Sequence, residues 1–340
     1  MTTHGTLGWG FVGASAIADE WMAGAVQGES GSRLVAVMSR DPARAPAFAA
    51  RHGLPSSYCE LETLLADPAV DIVYISTANQ RHHGEALLAA SAGKHLLCEK
   101  PLALSLAHAT EMVGAFRRRG LVMGTNHHLR NAATHREFRR LLGEGAIGRP
   151  LAVRLSHAVH LPPALRTWRV NDKEGGGAIL DIAVHDVDLL RFLLGTEPIE
   201  AVALAGSCGM AAEGVEDNAM AVLRMQDGLL AQLHLGYAFP AAVTSLDIEG
   251  EAGVLSARNA LSPSPVGEVL LRRGGREEAV PVEHENLYAG AVRRFAAAVR
   301  GEGSPAASGE DGVRSLAAAL AIREAAATGR RAMIPANKVR

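Results

Sequence analysis

Leu7-Gly8-Trp9-Gly10-Phe11-Val12-Gly13-Ala14-Ser15-Ala16-Ile17-Ala18 is the stretch on which the fold turns. Its first six residues form an apolar run, as a strand buried on both faces requires. The run breaks at a glycine ahead of an Ala-rich helical segment over 16–27. A strand that turns in this way into a helix is the place for a G-x-G-x-x-G/A fingerprint, in which backbone N–H groups and the helix N-terminus receive a pyrophosphate. Gly13 and Ala18 fit the first and third positions. Ser15 stands at the second, where glycine normally lets the backbone approach the phosphates. Taken alone, the motif also reads as an ordinary tight strand–helix turn.

Outward from that stretch the pattern repeats. Short apolar runs at 34–38, 71–76, His95–Cys98 and 121–124 alternate with helical periodicity at 42–52, 80–92 and 105–119. Such alternation predicts a doubly wound parallel sheet, an α/β nucleotide-binding fold, over residues 1–128. Beyond it the pattern changes. A helix over 132–142 and the break Gly148-Arg149-Pro150 lead to a strand at 153–159, and a helix follows Gly175-Gly176-Gly177 as far as 194. Seven strands then run without intervening helices, at 199–207, 216–225, 229–237, 243–249, 252–256, 268–272 and 278–282, and two helices close the chain at 287–300 and 309–327. Residues 129–340 are thus expected to form an α+β domain on a large, mostly antiparallel open sheet, its closing helices able to pack back on the first domain.

Composition narrows the function. With 340 residues, 48% hydrophobic, 21% charged and a net charge of −2, the chain has the make-up of an ordinary water-soluble protein and offers no basic surface for nucleic acid or membranes. The short runs Arg117-Arg118-Arg119, Arg139-Arg140 and Arg272-Arg273 are too scattered for a nucleic-acid footprint. Cys59, Cys98 and Cys208 make no CxxC pair and suit a reducing compartment. The first residues lack a secretory pattern and no run of 18 apolar residues occurs, so a cytoplasmic enzyme is expected, with a homo-oligomer left open.

Two clusters carry chemistry. The second strand ends Val37-Met38-Ser39-Arg40, where an acidic residue would hold a ribose hydroxyl of NAD. A hydroxyl with Arg40 and Arg44 instead suits a 2′-phosphate, which favours NADP(H), and Asp41 reads as the N-cap before Pro42. The fourth run leads directly into Glu99-Lys100-Pro101, which sets Lys100 at the mouth of the sheet, where ligands bind in such folds; a lysine snorkelling at the sheet edge is the plainer reading. His127-His128 lies at the same mouth after the last parallel strand. In the helix after the triple glycine, Asp181, His185 and Asp188 recur at i, i+4 and i+7 as a polar stripe. His185 is either a proton donor or acceptor oriented by a carboxylate, or a core histidine satisfied by Asp181. No third ligand stands at metal-site spacing, so no metal is expected. A polyhydroxylated substrate would need polar partners, which His127, His128, His157, His160, Arg169 and Asp181 could supply.

Taken together, these segments resemble the glucose–fructose oxidoreductase and inositol dehydrogenase family over nearly the whole chain. The likeness is carried by Trp9-Gly10-Phe11-Val12-Gly13-Ala14, by Thr77-Ala78-Asn79 with His82, and by Gly93-Lys94-His95-Leu96-Leu97-Cys98-Glu99-Lys100-Pro101. Gly176-Gly177 leading to Asp181 and His185, and Gly309-Glu310-Asp311-Gly312, extend it. Within the family the likeness is to an NADPH-dependent branch that reduces sugar-derived ketones, through Ser15, 125–131, 157–163 and Asn286-Leu287-Tyr288. The resemblance implies that Gly13, Ala14, Ser15, Ala16, Ile17, Ser39, Arg40 and Arg44 hold the cofactor. It implies the same of Thr77, Ala78, Asn79, Gln80, Arg81, His82, Glu99, Lys100, Asn126, Trp168, Arg169 and Tyr288. It further implies that Lys100 polarises a substrate carbonyl, His185 protonates the alkoxide, and Asp181 orients His185 or holds a neighbouring hydroxyl. Two other functions remain open on the same residues: oxidation of a sugar or inositol with His185 as base, and a nucleotide-sensing regulator, against which the joint presence of Lys100 and His185 argues.

Overall fold

The structure, a computed structural model, describes residues 5–336, which form two compact units. One takes in 5–128 and 288–313, the other 129–287 and 314–336. In the first, β1 (Leu7–Val12) enters a π-helical turn, Ala18–Met22, that continues as α1 (Ala23–Gly28). There follow β2 (Ser32–Met38), α2 (Arg44–His52), β3 (Ser56–Tyr58), α3 (Leu61–Ala66), β4 (Ile72–Ile75), α4 (His82–Ser91), β5 (His95–Cys98), α5 (Leu106–Arg118) and β6 (Met123–Thr125). The strands form one parallel sheet in the order β3-β2-β1-β4-β5-β6, so strand order reverses between β1 and β4, the switch point where open α/β sheets bind ligands. Every residue of β1 and β4 is buried, which is why these segments read as unbroken apolar runs. The last expected strand, drawn at 121–124, is formed by β6. β3 and α3 were not expected: Ser56-Ser57-Tyr58 is a short, half-exposed edge strand with no apolar run to betray it.

The second unit holds α6 (Ala133–Gly143), β7 (Pro150–Ala158), α7 (Trp168–Asn171) and a π-helical turn, Ile179–Ala183, that opens α8 (Val184–Leu194). Then come β8 (Pro198–Gly206), β9 (Asn218–Met225), β10 (Leu230–Gly236), β11 (Ser245–Gly250), β12 (Val254–Arg258), β13 (Glu268–Arg273) and β14 (Arg276–Val280). The chain ends with α9 (Leu287–Val299), α10 (Gly309–Thr328) and β15 (Ala332–Met333). Nine strands make a mixed sheet, ordered β14-β13-β12-β11-β7-β10-β9-β8-β15 and antiparallel throughout except for the β7–β10 pair. In β9, Ala219, Ala221, Leu223 and Met225 are buried while Met220 and Val222 are exposed, the period of two expected of a sheet with one covered face. Most of α9 belongs to the first unit, where Phe295 lies 5.8 Å from the Trp9 ring. No helix among the described residues is long and apolar enough to cross a membrane.

α8 is fixed by buried charge. Arg130 donates from Nε and Nη2 to the two carboxylate oxygens of Asp188, each at 2.7 Å. Ser315 Oγ donates to Asp188 Oδ1 at 3.2 Å, and Arg191 donates to Glu197 at 2.6 and 2.9 Å. Asp188, read from the sequence as part of a polar stripe with Asp181 and His185, is held in a buried ion pair instead. The π-helical turn before α8 inserts an extra residue per turn and breaks the 3.6-residue periodicity on which the stripe was drawn. Removing one partner of a buried pair strands the other charge, a loss of about 3–5 kcal/mol. Arg130→Met should lower the urea-unfolding free energy by about that much, and adding Asp188→Leu should restore most of it; an unchanged midpoint for the single variant would contradict the bridge.

Candidate active site

The carboxyl edge of the parallel sheet collects most of the residues singled out in the first 128 positions. Gly13 has φ of +106°, and a Cβ placed there would lie 3.1 Å from the Ser76 backbone and from Thr77 Cγ2. Only glycine fits a turn that passes this close to the loop after β4. Ser15 fills the atypical second position with a purpose of its own. Its Oγ accepts from the Ala18 N–H at 3.2 Å, as an N-cap hydroxyl does, and donates to Ser76 Oγ at 2.8 Å. Ala14, Ala16 and Ile17 lie on the same turn. The shape is a backbone cradle that any side chain at residue 13 would fill, and it fits a dinucleotide pyrophosphate.

At the end of β2, Ser39 Oγ accepts from the Asp41 N–H at 3.3 Å, and Arg44 Nη2 donates to the Ala14 carbonyl at 2.6 Å, which holds its guanidinium beside the cradle. Asp41 caps a turn through the Ala43 N–H at 2.9 Å; the helix itself starts at Arg44, two residues beyond the position expected from Pro42. Arg40, Gln80 and Arg81 line an open cleft of about 550 Å³ between α3 and α4. Asn79 is buried. Below the loop, Glu85 accepts from Thr77 Oγ1 at 2.5 Å and pairs with Arg81, burial raising its carboxyl above the usual range. His82, implied for the cofactor, is fully buried, its ring engaged with main-chain carbonyls, so it builds the loop and offers no surface to a ligand.

After β5, Glu99 Oε1 accepts from Tyr74 Oη at 2.7 Å and from Asn126 Nδ2 at 2.6 Å. Burial raises its carboxyl pKa, while these two donors pull it down. Lys100 follows, half-buried, joined to Pro101 by a cis peptide bond. Tyr288 is sandwiched between the rings of Trp21, at 5.6 Å, and His128, at 5.2 Å. His127 is buried close by in sequence.

The second unit carries the other set. Asp181 Oδ2 accepts from Arg169 Nε and from the Tyr237 hydroxyl, both at 2.9 Å, and the Arg169 guanidinium lies 4.5 Å from the Trp168 ring centre. Gly177 has φ of +90°, a conformation that favours glycine, and lies against the Glu216 carboxylate, which in turn accepts the Ile179 N–H that starts the helix. His185 and Asp181 are both buried, with 9% and 7% exposure. His157 Nδ1 lies 2.7 Å from Oδ1 of the fully buried Asp186, and His160 Nε2 lies 3.0 Å from Arg166 Nη2. Trp21, Tyr74, Tyr237 and Asp186 were not selected from the sequence. Only Asp186, beside His185, had a local signal; the others join the set through partners far away in the chain. Among the described residues no group of three His, Cys, Asp or Glu side chains could hold a metal ion.

Comparison with known proteins bears directly on these features. Residues 7–127 match the oxidoreductase family described as an NAD-binding Rossmann fold, and residues 135–256 match the GFO/IDH/MocA C-terminal domain. The chain is 50% identical over 327 residues, covering 96% of its length, to 1,5-anhydro-D-fructose reductase of Ensifer adhaerens, of which the match covers 98%. Among solved structures, aldose-aldose oxidoreductase from Caulobacter crescentus, complexed with glycerol, superposes with a TM-score of 0.89 at 25% identity, over 96% of this chain and 99% of that one. A 3-ketoreductase from Actinomadura kijaniata, in complex with TDP-benzene and NADP, does so with a TM-score of 0.84 at 26% identity, over 94% and 97%.

His135, on α6, is fully buried, its Nδ1–H donates to the Leu129 carbonyl at 2.9 Å, and burial lowers its pKa to about 4 from 6.5. The unfolded chain therefore takes up a proton that the folded one refuses. The stability so gained is full above pH 6.5 and is lost as pH falls toward 4. Between pH 7 and 5 this one group should remove about 2 kcal/mol of stability. Urea titrations of the wild type and His135→Gln should show a shallower pH slope in the variant, and identical slopes would remove His135 as the cause.

Proposed function

The chain belongs to the Gfo/Idh/MocA family of NAD(P)-dependent oxidoreductases, and on that premise we propose that it reduces 1,5-anhydro-D-fructose with NADPH to a 1,5-anhydrohexitol, 1,5-anhydro-D-mannitol. The observation that carries this reading is the full-length, half-identical match to a reductase of that name. NADPH is favoured over NADH because β2 ends in Ser39 and Arg40, with Arg44 held beside the cradle and no carboxylate at the strand end to grip a ribose hydroxyl.

When bound, NADPH supplies the hydride that converts the ketone carbon to an alkoxide. The Lys100 ammonium faces the carbonyl oxygen and stabilises the charge that develops on it. His185 gives its ring proton to that oxygen, a contribution of about 10²–10⁴-fold. The Asp181 carboxylate, braced by Arg169 and Tyr237, holds His185 or a neighbouring substrate hydroxyl. His127, His128, His157, His160 and Arg169 supply further hydrogen bonds to the sugar ring. One ketone, one hydride and one proton give one alcohol, and His185 recovers its proton from solvent.

Three outcomes are expected. Losing a charge-assisted phosphate bond removes on the order of 1.5–3 kcal/mol, so Arg44→Ala should weaken NADPH about 10- to 100-fold in a fluorescence titration. NADH should suffer far less, since only the link to Ala14 is lost for it; equal losses would count against the 2′-phosphate assignment. His185→Ala and Lys100→Met should each lower kcat far more than they weaken NADPH binding, and a variant with near wild-type turnover would remove its residue from the chemistry. NADPH oxidation should be efficient with 1,5-anhydro-D-fructose and much poorer with its deoxy analogues, which leave polar partners unsatisfied. If that ketone is inert while myo-inositol or an aldose reduces NADP⁺, the substrate assignment fails.

A further inference from the structure

His82 stands at the first position of α4, directly after the loop 77–81, and its side chain has no exposed surface. Its Nδ1 lies 2.9 Å from the carbonyl oxygen of Pro101, and its Nε2 lies 3.1 Å from that of Thr77. The two oxygens belong to different loops of the carboxyl edge. Thr77 opens the loop that follows β4, and Pro101 is the residue immediately after Lys100.

A carbonyl oxygen only accepts, and a neutral imidazole has a single N–H to give. The ring therefore holds one of these oxygens firmly unless it carries a second proton. Burial disfavours the doubly protonated form, and the positive charges of Lys100 and Arg81 add to that effect. We take the shorter contact, to Pro101, as the one that holds the proton on Nδ1. The side chain of Lys100 is a compact charge on a flexible stem of four carbons, so a shift of the backbone from which the stem rises carries the ammonium with it.

We propose that His82 is a positioning residue: it ties the main chain at Pro101 to the loop after β4, and it acts on catalysis only by holding Lys100 in place. The proposal rests on the assignment of Lys100 to the substrate carbonyl, and it accounts for a buried histidine that cannot itself reach a ligand. A misplacement of about 1 Å at a reacting group can lower turnover by about 10²-fold.

Amide side chains separate the two contacts. His82→Asn keeps a donor near the position of Nδ1, His82→Gln keeps one near Nε2, and His82→Leu keeps neither. With whichever ketone the wild-type enzyme reduces, His82→Asn should retain kcat within about fivefold, whereas His82→Gln and His82→Leu should lose roughly 10- to 100-fold. The Kd for NADPH should stay within about threefold in all three. In a Lys100→Met background, His82→Leu should reduce kcat no further, because the position it guards is already empty of charge. Should the leucine variant fail to fold, the ¹⁵N shifts of the wild-type ring decide, since they should report an Nδ1-protonated neutral tautomer. Rescue by Gln equal to that by Asn, a parallel loss of NADPH affinity, an additive double variant, or an Nε2-protonated ring would each overturn the proposal. If Lys100→Met keeps wild-type turnover, the chemical role of Lys100 fails first; if it loses turnover while His82→Leu does not, the fault lies with His82 alone.

Discussion

The backbone at Gly13, with φ of +106°, runs so close to Ser76 and Thr77 that a side chain there would be both strained and crowded, and the carboxyl edge of the first unit is organised around that crossing. It lies at the switch point of the parallel sheet, where β1 and β4 are neighbours and their following loops diverge. Ser15 extends the contact sideways through Ser76 Oγ, which donates in turn to the Gly13 carbonyl at 3.2 Å. Arg44, at the start of α2, spans the same turn by holding the Ala14 carbonyl. Three loops are thereby fixed to one another by main-chain groups and polar side chains.

The parts of this arrangement that were legible in the sequence are those written in local pattern. β1, β4 and β5 are buried apolar runs, and a buried strand has little else it can be. Once the strands are placed, the rule that ligands meet their carboxyl ends leads directly to Gly13, Ser39 and Lys100. The second sheet was legible as a run of strands without intervening helices, but not the central position of β7 or its parallel pairing with β10, since no local pattern encodes the neighbour of a strand. β3 and β15 are too short to carry a period at all. Contacts such as Trp21 against Tyr288, or Tyr237 against Asp181, join residues far apart in the chain and have no local signature.

The stripe drawn through Asp181, His185 and Asp188 shows a different kind of failure. The spacing was real, but the rule applied to it assumed an uninterrupted α-helix, and the chain instead forms a π-helical turn over Ile179–Ala183. Such turns are frequent at functional sites because the extra residue re-aims the side chains on either side of it. Asp181 then faces Arg169 and Tyr237, while Asp188 faces Arg130. One helix is thus split between two tasks that a helical wheel assigns to a single face.

That division explains why α8 carries so much buried charge. Asp186, Asp188 and Arg191 are all nearly inaccessible, and each is held by a partner on another segment: His157 on β7, Arg130 before α6, and Glu197 ahead of β8. Buried ion pairs are a poor source of net stability, because desolvation offsets most of the attraction, but they fail steeply when one partner moves. A helix gripped in this way at three positions cannot rotate or slide without stranding a charge in the interior. His185 lies immediately before the first of them. Its ring is therefore carried on a helix that these partners hold in place.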